Sequence, residues 1–136
     1  MTDAAPALGT PRRKRWWHHW KLILSGIVVV PILLVVLYTW AALSWSYSTG
    51  DRAGTLQKFS HKGWLCKTYE GELMQPTAPG VAPTIWTFTV RSDSVAQVVN
   101  AGIGRRVVLM YEEHKGVPTS CFGQTRYYVT GMRSAE

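Results

Sequence analysis

The longest pattern in the chain is an apolar run that extends from residue 22 to residue 45 and contains no charged residue. Leucine, isoleucine and valine dominate the run, and Pro31 lies near its middle. An α-helix needs roughly 20 apolar residues to cross the hydrocarbon core of a bilayer, and proline is tolerated inside a membrane helix. Residues 22–45 are therefore predicted to form a transmembrane helix.

Basic residues are concentrated on one side of this run. Residues 1–21 contain five lysines and arginines against one acid, whereas the other side opens with the balanced pair Asp51 and Arg52. Clustered basic residues stay in the cytoplasm, and aromatic rings favour the headgroup layer. Residues 1–21 are thus predicted to be a cytoplasmic basic tail. The predicted membrane-interface residues are Arg12, Arg13, Lys14, Arg15, Trp16, Trp17, Trp20, Lys21, Tyr38, Trp40 and Trp45.

A cleaved signal peptide is the competing interpretation, because Ala42-Leu43-Ser44 resembles a small-residue cleavage site. The apolar run is longer than the roughly 7–15 residues of a signal peptide's apolar region. An uncleaved single-pass anchor in a bacterial inner membrane, with a periplasmic C-terminal domain, is therefore favoured.

Beyond a polar linker predicted at residues 46–53, residues 54–133 carry short strand patterns. They predict three strands, a helix of about two turns framed by Ser92 and Gly102, and two more strands. This order is that of an OB-fold, a five-stranded barrel with its helix between strands three and four. An SH3-like barrel or another small β-roll would read similarly. The predicted strands are residues 54–60, 65–73, 85–90, 106–112 and 125–132.

The formal net charge of +7 raises the question of a nucleic-acid partner. Much of the excess precedes the apolar run, where each basic residue near anionic lipid contributes about 1 kcal/mol to membrane attraction. A periplasmic domain would also lie on the wrong side of the membrane for nucleic acid. The lipid bilayer is therefore an expected partner, and nucleic acid is not.

Several short motifs between residues 47 and 131 resemble a family of small, uncharacterised bacterial membrane proteins with one N-terminal anchor. The resemblance extends from about residue 21 onward and implies no established activity, although some relatives carry an automatic 6-phosphogluconate dehydrogenase label. The motifs are Tyr47-Ser48, Gly50, Arg52, Gly54, Leu56, Lys58-Phe59-Ser60, Lys62-Gly63, Lys67-Thr68-Tyr69-Glu70-Gly71-Glu72-Leu73, Tyr111 and Tyr127-Tyr128-Val129-Thr130-Gly131.

The residues themselves argue against a dehydrogenase. Dinucleotide binding needs a strand, a G-x-G-x-x-G turn and a helix in one βαβ unit. The candidate Gly102-Ile103-Gly104 follows a predicted helix, and Val107 occupies the third glycine position. Nucleophile-elbow and Cys-x-x-Cys motifs are also missing. We expect no enzyme, no cofactor and no bound dinucleotide.

Cys66 and Cys121 are the two cysteines of the chain. In an oxidising compartment they are expected to form a disulfide, because an OB-fold brings the loop before strand two close to the loop before strand five. Two separate buried thiols are one alternative, and a tetrahedral zinc site made by His61, Cys66, His114 and Cys121 is another. The spacing lacks the usual paired-ligand motifs, so we expect no metal.

Aromatic and basic residues in the same two loops suggest a ligand surface. OB-folds bind ligands on the face of strands two and three and on these loops. The predicted function is a periplasmic interaction module that binds a protein or an envelope polymer. Alternatives are an accessory subunit of a larger inner-membrane complex and a metal-binding or enzymatic envelope protein. The predicted surface comprises Lys62, Trp64, His114, Phe122 and Arg126.

Overall fold

The computed structural model describes Gly9 and residues 14–135, with side chains described for Gly9 and from His19 onward. The chain divides after Leu37 into two compact units. The first unit contains the helix up to that residue, and the second begins at Tyr38.

A long helix, α1, extends over Lys14–Ser44 with Pro31 inside it. Its segment His19–Ser44 has 26 residues and a mean hydropathy of 2.7, and none of its most apolar window is buried. At 1.5 Å per residue this segment spans about 39 Å, more than the roughly 30 Å of a bilayer core. The helix is therefore long and apolar enough to cross a membrane, as predicted.

Only some of the predicted membrane-interface residues can be examined. Arg12 and Arg13 lie outside the described residues, as does most of the predicted tail, and the side chains of residues 14–17 are likewise outside them. The remaining ones are exposed, and their contact with headgroups stays a prediction: Trp20, Lys21, Tyr38, Trp40 and Trp45.

Within residues 48–134, five strands close into a barrel in the order β1-β2-β3-β5-β4, with β4 paired back onto β1. All neighbours are antiparallel except the short parallel pair β3–β5. The elements are β1 (Ser48–Lys62), β2 (Thr68–Gln75), β3 (Thr84–Val90), α2 (Asp93–Ala101), β4 (Arg106–Glu113), a 3₁₀ turn (Ser120–Phe122) and β5 (Tyr127–Ser134).

The predicted sequence of three strands, one helix and two strands is confirmed, but the predicted linker is wrong. Residues 48–53 form the first part of β1 and pair with β4 in a register that begins with Ser48 opposite Glu113. Their polar composition reflects a half-exposed strand, in which Asp51 and Ala53 face solvent while Arg52 is partly buried.

The barrel core is packed by apolar side chains from every strand and closed by α2. Phe88, Leu56 and Leu73 are fully buried, and Ala96 and Val99 of α2 join the same cluster. Gly71 is required beneath the Phe88 ring, because a Cβ there would lie 2.2 Å from a ring carbon. The core therefore fixes β2 and β3, which carry the residues described next.

Candidate functional site

The two cysteines join the β1–β2 loop (residues 63–67) to the β4–β5 loop (residues 114–126). Cys66 and Cys121 form a disulfide with their Cα atoms 5.0 Å apart, across a sequence separation of 55 residues. The predicted disulfide is confirmed. It holds together two loops that leave different strand pairs of the barrel.

The tip of the β1–β2 loop presents two large apolar side chains to solvent. Trp64 is 99% exposed and Leu65 is 85% exposed. Lys62 and Lys67, which flank them, are exposed as well. The turn before the tip requires glycine, because Gly63 has a φ of +139° and a Cβ there would overlap the carbonyl oxygen of Cys66. The tip is thus fixed by a glycine turn on one side and a disulfide on the other.

A buried carboxylate lies beneath the β4–β5 loop. Glu70 is 6% exposed and accepts hydrogen bonds from the hydroxyls of Thr68 at 2.7 Å and Thr89 at 2.8 Å, and from the backbone N–H of Gln124 at 3.0 Å. The Thr89 and Thr125 hydroxyls lie 2.9 Å apart. These bonds attach the loop to the outer face of β2 and β3.

Two acidic residues of β2, Glu70 and Glu72, have different environments. Glu72 forms an exposed ion pair with Lys58 at 3.4 Å, whereas Glu70 is buried. The alternation of a strand places both residues on the outer face, but only the folded loop determines which of them is covered. The Thr68 hydroxyl two residues away was the available sequence signal.

His114 does not contribute to an exposed ligand surface, and that prediction is wrong. It is 4% exposed, and its ring nitrogens lie 3.1 Å from the carbonyl oxygen of Ala42 and 3.3 Å from a carboxylate oxygen of Glu112. Its ring also packs edge-on against Tyr128 at 5.2 Å. These two hydrogen-bond partners keep the His114 ring buried, although the residue lies in a loop.

Tyr128, which packs against the His114 ring, is itself buried. Its hydroxyl is inaccessible and has no hydrogen-bond partner among the described residues. Desolvation by burial raises the pKa of Tyr128, the nearby Arg91 lowers it, and the Glu70 charge raises it, with a net upward shift.

The four-residue zinc alternative does not form. Both sulfur atoms are used by the disulfide. The two histidines are also occupied separately, since His61 stacks on Tyr69 with ring centroids 4.3 Å apart, while His114 is buried elsewhere. Across the described part of the chain, no cluster of three or more potential metal-ligating side chains occurs.

The remaining predicted surface residues are distributed around the joined loops. Phe122 is half-buried and lines a cavity of about 290 Å³ with Cys121 and Lys67. Lys62 lines a separate cavity of about 220 Å³ with Gln124. Arg126 is exposed and lies 3.7 Å from Glu113, away from the loop tip.

Comparison with known proteins gives little functional guidance. No curated protein matches the chain. A solved structure of similar shape is the mitochondrial single-stranded DNA binding protein Rim1 from S. cerevisiae, with 7% sequence identity and a TM-score of 0.48, covering 68% of this chain and 97% of that one. Residues 45–134 match a family described as a domain of unknown function.

Proposed function

This chain belongs to the DUF8785 family, a domain family of unknown function, and from this premise we propose that it is a membrane-anchored interaction module. It binds another protein of the bacterial envelope through the tip of its β1–β2 loop. We propose no enzymatic activity and no cofactor for it.

Two features support an inner-membrane anchor with a cytoplasmic N-terminus and a periplasmic barrel. Five basic residues precede the apolar run 22–45, and such clusters are retained in the cytoplasm. The Cys66–Cys121 disulfide is of the kind that forms and persists in oxidising compartments such as the periplasm. The basic cluster of the tail and the disulfide of the barrel are independent observations, and both favour a periplasmic barrel.

We assign the barrel to the OB-fold. The closed strand order β1-β2-β3-β5-β4 and the position of α2 between β3 and β4 support the assignment. OB-folds use the loops after their first and fourth strands as ligand-binding loops. The disulfide joins these two loops.

The exposure of Trp64, together with its fixed position, carries the proposal. An aromatic side chain with an apolar neighbour on a constrained backbone has the properties of an interface hot spot, because the loop needs little further ordering when a partner buries it. The disulfide at Cys66 and the turn at Gly63 supply that backbone constraint.

The flanking charges indicate the kind of partner. Lys62 and Lys67 border the apolar tip, so the complementary surface is an apolar pocket with an acidic rim. Opposite charges at the rim of an interface accelerate association and set its orientation. We therefore propose a protein partner that presents such a pocket near the membrane surface.

Photo-crosslinking in intact membranes tests this proposal with the full chain. A photoreactive amino acid replaces Trp64 and, as the matched control, Val81, which is 62% exposed in the β2–β3 loop. One discrete protein adduct, identified by mass spectrometry, is expected at position 64 and not at position 81. The charge reversals Lys62→Glu and Lys67→Glu should weaken the adduct, whereas Arg105→Glu in the turn before β4 should not.

Other results would overturn the proposal. Adducts with lipid alone at position 64 would identify the bilayer surface as the site that the tip contacts. Protein adducts from a probe at Leu33 in α1, with none at position 64, would instead support an accessory subunit that packs through its helix.

A further inference from the structure

Two adjoining cavities form a groove between α2, the end of β1 and the joined loops. The first has a volume of about 500 Å³ and includes Gln97 and Asn100 of α2. The second, of about 290 Å³, includes Lys67 and Arg91. Both cavities are lined by His61, Tyr69 and Asp93, so they adjoin at these three residues. We call this feature the α2 groove.

The α2 groove has an aromatic floor. The ring of Tyr69 lies parallel to that of Phe59 within 5°, with centroids 5.8 Å apart, and stacks on His61 at 4.3 Å. Phe59 and Tyr69 also pack against the buried core, which fixes their orientation. Other rings therefore cover both faces of Tyr69, and the floor is a rigid aromatic stack whose exposed member is His61.

Hydrogen-bonding groups surround this floor. Hydrogen bonding to the neighbouring Asp93 carboxylate, ahead of desolvation and the Asp93 charge, raises the pKa of Tyr69. The exposed amides of Gln97 and Asn100 offer a donor and an acceptor each, on one face of α2. At the other end, Lys67 and Arg91 supply positive charge beside the disulfide.

We propose that the α2 groove binds an anionic oligosaccharide. A sugar ring offers C–H faces that pack on aromatic rings and hydroxyl groups that pair with carboxylates and amides, which is the combination found here. The acidic group of the ligand is expected to bind at Lys67 and Arg91, beyond the Asp93 carboxylate. A groove open at both ends suits a chain better than a single sugar.

This site is distinct from the loop tip. The groove shares Lys67 with the flank of the loop tip but is lined by neither Trp64 nor Leu65, so sugar binding does not require the protein partner proposed above.

Calorimetric titration of the full chain in detergent micelles tests the proposal. The probes are tetragalacturonate, which carries a carboxylate on each ring, and cellotetraose, a neutral tetrasaccharide. Tetragalacturonate should bind more tightly. Arg91→Ala should weaken its binding roughly tenfold, as expected for a lost charge-assisted hydrogen bond, and leave cellotetraose unchanged. Arg105→Ala, an exposed arginine outside the groove, is the matched control.

The neutral part of the groove is tested by a second variant. Asn100→Ala removes an exposed amide from a helix, a change that does not threaten the fold, and should weaken binding of both sugars. Val98→Ala, also exposed on α2, should change neither affinity.

The proposal is overturned if neither sugar binds, if the variants bind as the parent does, or if a short oligothymidylate binds more tightly than either sugar. Trp64→Ala should leave the titrations unchanged, so failure of this inference and failure of the crosslinking experiment are independent results.

Discussion

The hydroxyl of Tyr38 donates a hydrogen bond of 2.9 Å to the carbonyl oxygen of Gly116. Two neighbouring contacts belong to the same arrangement, since His114 reaches the carbonyl of Ala42 and the ammonium of Lys115 lies 3.4 Å from the ring centre of Tyr47. Three consecutive residues of the β4–β5 loop thus contact residues 38–47, which comprise the last turns of α1 and the residues just before β1.

These contacts connect the anchor to the loop tip through the structure of the second unit. The β4–β5 loop begins at this segment, and further along it Cys121 is bonded to Cys66, beside the exposed Trp64. The position of the tip is therefore tied to residues 38–47 of the same unit.

The first prediction concerns Gly116, which has a φ of +77° and lies close to the Tyr38 hydroxyl. A Cβ at this position would lie 2.8 Å from the Tyr38 hydroxyl. Gly116→Ala should lower the free energy of unfolding by about 2 kcal/mol, part from backbone strain at positive φ and part from the disturbed hydrogen bond. Urea denaturation of the purified chain measures the loss.

Gly80→Ala is the matched control, because Gly80 has a φ of +87° and nothing within 4 Å of its virtual Cβ. It carries the backbone strain alone, about 1 kcal/mol. Equal losses for the two variants would show that the contact with Tyr38 contributes nothing.

The order of strands along the chain was predictable from local patterns, and the disulfide was predictable from the fold that this order indicated. Alternating residues and turn signals mark each strand, and two cysteines in loops that meet in a five-stranded barrel leave one intramolecular pairing. The joined loops therefore followed from the fold prediction once Cys66 and Cys121 were located within it.

The environments of His114 and Glu70 were not predictable, because both depend on the path of a loop of 13 residues, 114–126. A histidine followed by lysine and glycine is typical of a surface turn. The chain contains this tripeptide at residues 61–63 and again at residues 114–116, and nothing in the sequence distinguishes the buried histidine from the exposed one. The polar segment 48–53 was wrongly predicted to be a linker for a related reason. It is a strand because it pairs with β4, which lies far along the chain.

The second prediction concerns the buried carboxylate of Glu70. Glu70→Gln replaces an acceptor of three hydrogen bonds by an amide whose NH₂ group faces donors. A loss of about 2 kcal/mol in the free energy of unfolding is expected, since a buried donor or acceptor is left unpaired. Glu72→Gln, two residues along the same strand, breaks an exposed ion pair with Lys58 and should cost less than about 0.5 kcal/mol. Similar losses would contradict the assigned network.

The third prediction concerns the disulfide. The double variant Cys66→Ser with Cys121→Ser should unfold with a free energy about 4 kcal/mol lower, the chain-entropy value for a closed loop of 55 residues. Dithiothreitol should destabilise the parent chain by a similar amount and leave the variant unchanged. If the reductant has no effect on the parent chain under unfolding conditions, the cysteines are not bridged in the isolated protein.

The fourth prediction concerns Tyr128, which is buried with an unpartnered hydroxyl. Removing that hydroxyl in Tyr128→Phe should raise the free energy of unfolding near pH 7 by roughly 1 kcal/mol, because a desolvated polar group is lost without losing a hydrogen bond.

The same variant should change the alkaline limb of the stability profile. Burial raises the pKa of Tyr128 above its ordinary value of 10.0, so the folded state retains the phenolic proton more strongly than the unfolded state. Stability from this group is complete below pH 10 and is lost as the pH rises through the folded-state pKa. Tyr128→Phe removes this part of the loss, while the part due to Tyr69, whose pKa is also raised, remains.

Urea denaturation near pH 7 and near pH 11 measures both effects. Tyr47→Phe, at an exposed ring, serves as the control, and a parallel decline in all three proteins would refute the burial of the Tyr128 hydroxyl.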